Sequence, residues 1–243
     1  MKGVILAGGI GTRLRPLTLI TNKHLLPVYN KPTILYPLEN LCASGISEIM
    51  IVCGREHAGD FMNFLGSGKE YGVKLSYALQ DAPSGGVADA LRYAEDFSDK
   101  GSIAVILGDN VFENDFRNSA TIFQKGAMIF LKKVSDPKRF GVAVFDKKYK
   151  HIIRIEEKPA HPKSSYAQTG FYLFDNYVFE IIKNLKLSQR GEFEITDVVN
   201  SYLQKGELKF THVKGFWSDV GTFESLYETT QWLYKKVNRG IKP

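Results

Sequence analysis

Short apolar segments alternate with helix-like segments through the first half of the chain. The apolar segments share a length of five or six residues and are residues 3–7, 48–53, 102–107 and 127–131. Unbroken apolar runs are typical of strands buried on both faces, and their alternation with helices predicts a mostly parallel, Rossmann-like α/β sheet flanked by helices. Helices are predicted at residues 32–45, 60–65 and 87–97, and a further strand at residues 74–79.

Ligands of such sheets bind beyond the carboxyl ends of the strands. Gly8, Gln80 and Asp109 each lie at such a predicted end. We therefore expect the chemistry of this protein at that edge of the sheet.

The second half of the chain has a different pattern. Residues 141–145 and 151–156 flank the turn-like Asp146-Lys147-Lys148, which predicts a β-hairpin. Further strands are predicted at residues 170–174 and 208–213, and further helices at residues 176–185, 194–204 and 222–236. No linker-like composition separates the halves, so a single domain over residues 1–243 is expected.

Composition narrows the classes of partner. The chain has 32 basic and 26 acidic residues among 243, a net charge of +6, which suits a small anionic partner. The cations form no long run, so no nucleic acid is expected, and no apolar stretch is long enough to predict a membrane span. The two cysteines form no disulfide framework, and no signal peptide is evident at the start, so a cytoplasmic protein is expected.

The segment LAGGIGTRL at residues 6–14 is the strongest local signal. Glycines after a strand let backbone N–H groups approach a phosphate, and the guanidinium of Arg13 matches phosphate oxygens. The segment is neither a Walker loop nor a dinucleotide fingerprint, since Leu14 stands where a third glycine would be needed. Phosphate binding, with help from Lys23, is favoured over a simple glycine turn with solvated cations.

Two carboxylates are candidates for holding a cation. Asp109 follows an apolar strand and Asp219 follows a strand-like run, and such carboxylates suit Mg²⁺. Each could instead be a turn or helix-capping aspartate.

Three more polar side chains are candidates for contacting substrate. Lys158 could bind a phosphate and Glu157 could accept hydrogen bonds from sugar hydroxyls, although a charged strand edge explains them equally. Gln80 carries the donor and acceptor needed to read a base edge. Without any nucleophile signature, glycines, cations and carboxylates favour phosphoryl-type transfer.

The order of these motifs resembles the signature of the sugar-1-phosphate nucleotidyltransferases. Its first part is LAGGxGTRL at residues 6–14 and KxLLP at residues 23–27. The remaining matches follow in the family's order and are Gln80, PxGGVAxA at 83–90, GDN at 108–110, FGV at 140–142, EEKP at 156–159, YAxTG at 166–170, RGExEITD at 190–197 and WxDxGT at 217–222. The resemblance spans nearly the whole chain, and within the family it is to the glucose-1-phosphate thymidylyltransferases.

The resemblance implies a reaction and a division of labour. dTTP and α-D-glucose 1-phosphate would give dTDP-glucose and pyrophosphate, by in-line attack of the sugar phosphate on the α-phosphorus with Mg²⁺ as cofactor. Residues about 1–125 would form a nucleotide-binding half and residues about 126–243 a sugar-phosphate-binding half.

The resemblance also assigns residues to each role. The nucleotide would contact Leu6, Gly8, Gly9, Gly11, Thr12, Arg13, Lys23, Gln80, Gly86 and Asp109. The sugar phosphate would contact Asn110, Gly141, Glu157, Lys158, Gln168 and Arg190. The catalytic cations would be Arg13, Lys23 and Lys158, and the Mg²⁺ ligands would be Asp109 and Asp219.

The chain departs from the family's pattern at several points. Ser218-Asp219-Val220-Gly221 replaces Leu-Asp-Thr-Gly, Phe140 replaces an aromatic residue with a hydroxyl, and Gln168 replaces an apolar residue. The segment from Gln80 to Gly86 is one residue longer than is usual. The short segment after residue 236 predicts that the allosteric site formed by C-terminal helices in longer members is missing.

Several alternatives stay open on the sequence. UTP or another sugar 1-phosphate could replace the expected substrates, and the chain could be a non-catalytic nucleotide-sugar sensor. An NAD-dependent oxidoreductase is disfavoured by Leu14. Assembly into a homo-oligomer is compatible with the sequence.

Overall fold

A mixed β-sheet forms the centre of the computed structural model, which describes residues 1–81, 85–148 and 150–238. The strands are β1 (Lys2–Ala7), β2 (Pro27–Val28), β3 (Lys31–Pro32), β4 (Glu48–Gly54), β5 (Lys74–Gln80), β6 (Ile103–Leu107), β7 (Asn110–Phe112), β8 (Ala127–Lys133), β9 (Gly141–Phe145), β10 (Ile152–Glu157), β11 (Tyr166–Phe174), β12 (Leu208–His212) and β13 (Trp217–Asp219). Within these ranges the main sheet has nine strands, in the order β10-β9-β11-β6-β1-β4-β5, with β8 pairing β11 and β12.

The part of the main sheet formed by β6, β1, β4 and β5 is parallel. β1 pairs in parallel with β4 and β6, and β4 pairs in parallel with β5. β11 joins antiparallel to β6 and connects this half to the predicted hairpin of β9 and β10. The sequence prediction of a mostly parallel, Rossmann-like α/β sheet is confirmed.

Helices cover both faces of the sheet. They are α1 (Leu35–Ala43), α2 (Ala58–Leu65), α3 (Val87–Arg92), α4 (Glu95–Ser98), α5 (Arg117–Ile122), α6 (Tyr177–Lys183), α7 (Ile195–Gln204) and α8 (Phe223–Asn238). One core cluster packs α3, α6 and α7 on one face, and a second packs α1 and α2 on the other. None of the helices in the described part of the chain is long and apolar enough to cross a membrane.

The prediction of one continuous helix over residues 87–97 was wrong. The chain forms two helices, α3 and α4, because a tight turn closes at Ala94, whose N–H donates to the carbonyl of Leu91. The apolar residues Ala88, Leu91, Ala94 and Phe97 recur every three residues, a spacing that suits tighter turns as well as an α-helix. Part of the longer 80–86 segment and the residues after 238 lie outside the described residues.

A small second sheet decides the geometry of the site. β7 follows β6 after a two-residue turn and pairs antiparallel with β13, so that Asp219 stands opposite Asn110. The pairing brings a segment near the end of the chain to the carboxyl edge of the main sheet.

Candidate active site

The glycine segment leaves β1 at the carboxyl edge of the sheet and turns tightly. Gly11 has φ of 66°, in the left-handed region that favours glycine, and a 3-10 helix at Thr12–Leu14 follows. Leu14 is fully buried and anchors this helix, which accounts for its place in the motif. A Cβ at Gly9 would lie 2.8 Å from Cε of Lys23, so the backbone approaches this cation closely.

Lys23 and Asp109 form a largely buried ion pair at the centre of the site. The Lys23 ammonium lies 2.5 Å from Oδ2 of Asp109, and their side chains are 15% and 13% exposed. Burial is the largest single effect and would raise the pKa of Asp109, but the charge of Lys23, together with the hydrogen bonds from Lys23 and Asn110, holds the pKa well below its usual range. Asp109 is therefore ionised at neutral pH.

Asp219 reaches the same point through the pairing of β7 with β13. The N–H of Val220 donates to the carbonyl oxygen of Asp109 at 2.7 Å, which holds the two acidic residues side by side. Burial, followed by the charge of Asp109, raises the pKa of Asp219 to about 6, against the lowering effect of Arg139 and Arg13. Nη2 of Arg139 lies 2.7 Å from Oδ2 of Asp219.

The chemistry of the two carboxylates fits a magnesium ion. In the residues that the structure describes, no group of three or more His, Cys, Asp or Glu side chains is arranged to hold a metal. Mg²⁺ is commonly bound by one or two carboxylates, with phosphate oxygens and water completing its coordination. After burial, the charge of Asp109 is the second cause of the raised pKa of Asp219, and a divalent cation would relieve this repulsion.

Asp219 is not the capping residue of the last helix. The side chain of Thr222 accepts a hydrogen bond from the N–H of Ser225 at 3.2 Å, as a helix-capping residue does. The carboxylate of Asp219 is therefore free of this structural task.

A cavity of about 390 Å³ opens beside the ion pair of Lys23 and Asp109. Most of the residues predicted to bind the nucleotide line it, namely Leu6, Gly8, Gly9, Thr12, Arg13, Lys23, Gln80, Gly86 and Asp109, and Lys158 and Arg190 line it as well. A neighbouring cavity of about 500 Å³ shares Gly8, Ile10 and Gln80 with it. Gln80, the last residue of β5, therefore lines both cavities.

Lys158 and Arg190 belong to a network of ion pairs with carboxylates. Arg190 lies within 3.4 Å of Glu157, 2.8 Å of Glu192 and 3.1 Å of Glu194, and the Lys158 ammonium lies 3.5 Å from Glu157. The loop that carries Arg190 is held against the segment that precedes α3, because the N–H of Phe193 donates to the carbonyl of Gly85 at 2.9 Å.

Glycine is required at position 86, where this loop meets the start of α3. Gly86 has φ of 91°, and a Cβ there would lie 2.6 Å from the carbonyl oxygen of Phe193. A larger residue would separate the two segments.

Gly141 and Gln168 lie together on the neighbouring strands β9 and β11. A Cβ at Gly141 would be 3.6 Å from Cβ of Gln168 and 2.7 Å from Thr196. The Gln168 side chain is buried, with Nε2 3.3 Å from the hydroxyl of Tyr172. It is the backbone near Gln168 that the resemblance assigns to the sugar.

Asn110 has a structural task in addition to the predicted sugar contact. Its Oδ1 accepts from the N–H of Gly170 at 3.0 Å and from Nε1 of Trp217 at 2.7 Å, and its Nδ2 donates to Oδ1 of Asp109 at 2.8 Å. The buried amide thus orients Asp109 and ties β7 to β11 and β13.

Three side chains of the site were missed from the sequence. His24 is buried beside Lys23, and its Nδ1 lies 2.6 Å from Oδ1 of Asn22. Burial, assisted by the charge of Lys23, lowers the pKa of His24 to about 3, so the ring is neutral. Asp89 contacts Gln80 and Arg139 contacts Asp219. Asp89 could have been recognised as a candidate site residue because it is an acidic residue in an otherwise apolar helical segment. No feature of the sequence around Arg139 indicated a role in the site.

Comparison with known proteins gives one family. The sequence profile of the family described as "Nucleotidyl transferase" matches residues 2–236. The chain is 44% identical to the glucose-1-phosphate thymidylyltransferase of Neisseria gonorrhoeae over 98% of its own length and 84% of that protein. It is 42% identical to that of Mycobacterium tuberculosis, strain H37Rv, over 100% of its length and 85% of the relative.

Solved structures agree with this. A Bacillus anthracis protein, provisionally assigned as a glucose-1-phosphate thymidylyltransferase and solved with sucrose, is 50% identical with a TM-score of 0.90, covering 96% of this chain and 94% of its own. A UDP-glucose pyrophosphorylase solved with UDP-glucose is 26% identical with a TM-score of 0.84, covering 97% and 98%.

Proposed function

The chain belongs to the nucleotidyl transferase family, and from that membership we propose that it joins dTTP to α-D-glucose 1-phosphate. The products are dTDP-glucose and pyrophosphate. One phosphate oxygen of the sugar phosphate forms a bond to the α-phosphorus. The bond between the α-phosphorus and the oxygen that links it to the β-phosphorus breaks, and this oxygen leaves with the pyrophosphate. The relatives named glucose-1-phosphate thymidylyltransferase align with nearly the whole chain, which supports the assignment of both substrates.

The observation that supports this activity most directly is the cluster of Lys23, Asp109 and Asp219 beside the glycine segment. Lys23 and Asp109 line a cavity there, and Asp219 lies beside Asp109. Phosphoryl-type transfer requires mainly positioning and charge neutralisation, and this cluster provides both without a protein nucleophile.

The triphosphate is bound by the glycine segment and two cations. The backbone N–H groups of residues 8–11 and the guanidinium of Arg13 bind phosphate oxygens, and Lys23 binds near the reacting phosphorus. Arg13 stabilises the charge that develops on the departing pyrophosphate. The pocket lined by these residues carries the positive charge that a nucleoside triphosphate requires.

Asp109 and Asp219 would hold Mg²⁺ in this scheme. When bound, the ion would neutralise phosphate oxygens and so lower the repulsion between the two substrates. The residues themselves keep the two carboxylates adjacent through the β7–β13 pairing and through the hydrogen bond from Asn110 to Asp109.

The sugar phosphate is bound from the opposite side of the cavity. Lys158 and Arg190 line the cavity and offer cations to its phosphate group. Glu157 lies next to both cations, and its carboxylate oxygens can accept hydrogen bonds from sugar hydroxyls. The two substrates are thereby oriented for in-line attack.

The base is read by Gln80, and its amide suits uracil as well as thymine. UTP is for this reason the second candidate nucleotide, and the structural similarity to a UDP-glucose pyrophosphorylase favours keeping it.

The decisive experiment is a matrix of nucleoside triphosphates against sugar 1-phosphates, with pyrophosphate release as the measurement. We expect the highest kcat/KM for dTTP with glucose 1-phosphate, in the presence of Mg²⁺. Asp109→Asn should lower turnover at least ~100-fold while the protein stays folded, and Asp96→Asn, an exposed carboxylate on α4, is the matched control. Preference for a purine triphosphate, or unchanged activity of Asp109→Asn, would refute the proposal.

A further inference from the structure

Asp89 and Gln80 form a buried hydrogen bond next to the base-reading position. Nε2 of Gln80 donates to Oδ2 of Asp89 at 2.8 Å, and both residues are only 2% exposed. Asp89 lies in the first turn of α3, and Gln80 ends β5. The contact therefore joins the helix to the strand at the residue that lines both cavities.

The chemistry of this bond fixes which way the Gln80 amide points. An ionised carboxylate only accepts hydrogen bonds, so the amide must turn its NH₂ group toward Asp89. Its carbonyl oxygen then faces the glycine segment, where a Cβ at residue 8 would lie 2.2 Å from Oε1. Asp89 thus removes the twofold ambiguity that an amide otherwise has.

The half-exposed side chain of Arg92 pairs with the buried carboxylate of Asp89. Nη2 of Arg92, on the next turn of the same helix, lies 3.0 Å from Oδ1 of Asp89, so the two carboxylate oxygens have one partner each. The ion pair keeps a buried negative charge beside the nucleotide site from repelling a polyanion. A Cβ at Gly85 would lie 2.3 Å from Oδ2, so glycine at this position leaves room for the carboxylate.

We infer that Asp89 is a positioning residue that sets base specificity by locking the orientation of the Gln80 amide. This inference rests on the proposed function and names the class of base that the site selects. With Oε1 fixed toward the pocket, Gln80 accepts from a ring N–H, and its second amide hydrogen remains for the neighbouring carbonyl oxygen. Thymine and uracil offer that pair of groups. Cytosine offers a bare ring nitrogen and an amino group, which fit the opposite orientation of the amide.

The test is the ratio of kcat/KM for dTTP to that for dCTP, with glucose 1-phosphate as the second substrate. Asp89→Asn keeps the shape of the side chain, but an asparagine both donates and accepts, so Gln80 can rotate. We expect the dTTP to dCTP ratio to fall about tenfold or more. The dTTP to dUTP ratio should stay unchanged, because both bases present the same edge.

Matched variants separate positioning from stability. Asp96→Asn makes the same change in the first turn of α4, at an exposed carboxylate. It should keep the wild-type ratio. Asp89→Ala, which only removes atoms, provides a second variant if Asp89→Asn fails to fold, and it should lower the ratio similarly.

The outcomes distinguish this inference from the proposed function. An unchanged ratio in a folded Asp89 variant, with only a lower unfolding midpoint, would mean that Asp89 merely stabilises α3, and the inference would be overturned. If the wild-type protein makes no dTDP-glucose, the proposed function fails. The inference about Asp89 is then tested by calorimetry, which compares the affinities for dTTP and dCTP in the wild type and in the Asp89 variants. Equal binding of both nucleotides by the wild type would overturn the inference as well.

Discussion

The ammonium of Lys23 lies 2.5 Å from the carboxylate of Asp109, although the two residues are 86 positions apart in the chain. The proposed phosphate-binding cation and the proposed metal-binding carboxylate therefore neutralise each other before substrates arrive. Because the charges of Lys23 and Asp109 are paired, neither is left uncompensated in this largely buried site.

This ion pair should be visible in the stability of single and double variants. Lys23→Met leaves Asp109 buried and unpaired, and we expect the free energy of unfolding to fall by about 3 kcal/mol. Adding Asp109→Asn should restore most of that loss, because the orphaned charge is then gone. Denaturant unfolding of the four proteins measures the coupling, and simple additivity of the two changes would contradict it.

Asp219 should show a trade-off between stability and activity. Its carboxyl has a pKa raised to about 6, chiefly by burial and next by Asp109, so above pH 6 the folded state contains a disfavoured charge. Without metal at pH 7.5, Asp219→Asn should raise the free energy of unfolding by about 1–3 kcal/mol. The gain should shrink toward pH 5, where the wild-type carboxyl takes up a proton.

The same variant should lose turnover by at least ~100-fold in the presence of Mg²⁺. Pyrophosphate release and denaturant unfolding on one preparation test both halves. A destabilised Asp219→Asn protein would show that the bond to Arg139 outweighs the repulsion.

The close approach of Gly8 to Gln80 predicts a selective defect in nucleotide binding. A Cβ at Gly8 would displace the Gln80 amide oxygen, which lies 2.2 Å away, so Gly8→Ala should raise the KM for dTTP about tenfold with little loss of stability. Gly59→Ala on α2 is the control, because a Cβ there contacts nothing within 4 Å. It should leave the KM unchanged and add about 0.5–1 kcal/mol of stability. Equal KM values for the two variants would refute this role of Gly8.

His24 predicts a loss of stability in acid. Burial, with the charge of Lys23, lowers its pKa to about 3, whereas the unfolded chain takes up a proton near the ordinary value of 6.5. The free energy of unfolding should therefore fall as the pH drops from 6.5 toward 3, by up to ~1.4 kcal/mol per pH unit from this group. His24→Gln should flatten that dependence, whereas exposed His161→Gln should not. Equal slopes in unfolding experiments from pH 6.5 to 4 would contradict the expectation.

The sequence by itself determined the sheet and the chemistry of its edge. Unbroken apolar runs such as residues 102–107 identify buried strands locally, and the residues that follow them emerge at one edge because parallel strands all point the same way. The glycine segment was recognisable for a similar reason, since its backbone conformation depends on residues that are adjacent in the chain.

Only the tertiary structure decided which side chains meet. Asp219 joins Asp109 through β7 and β13, strands of three residues whose pairing leaves no periodic pattern in the sequence. The orientation of Gln80 depends on a carboxylate from a neighbouring helix, and the charge state of His24 depends on complete burial. Apolar periodicity reports which face of an element is buried, whereas hydrogen-bond partners and pKa values depend on distances between elements, which are set when the elements pack together.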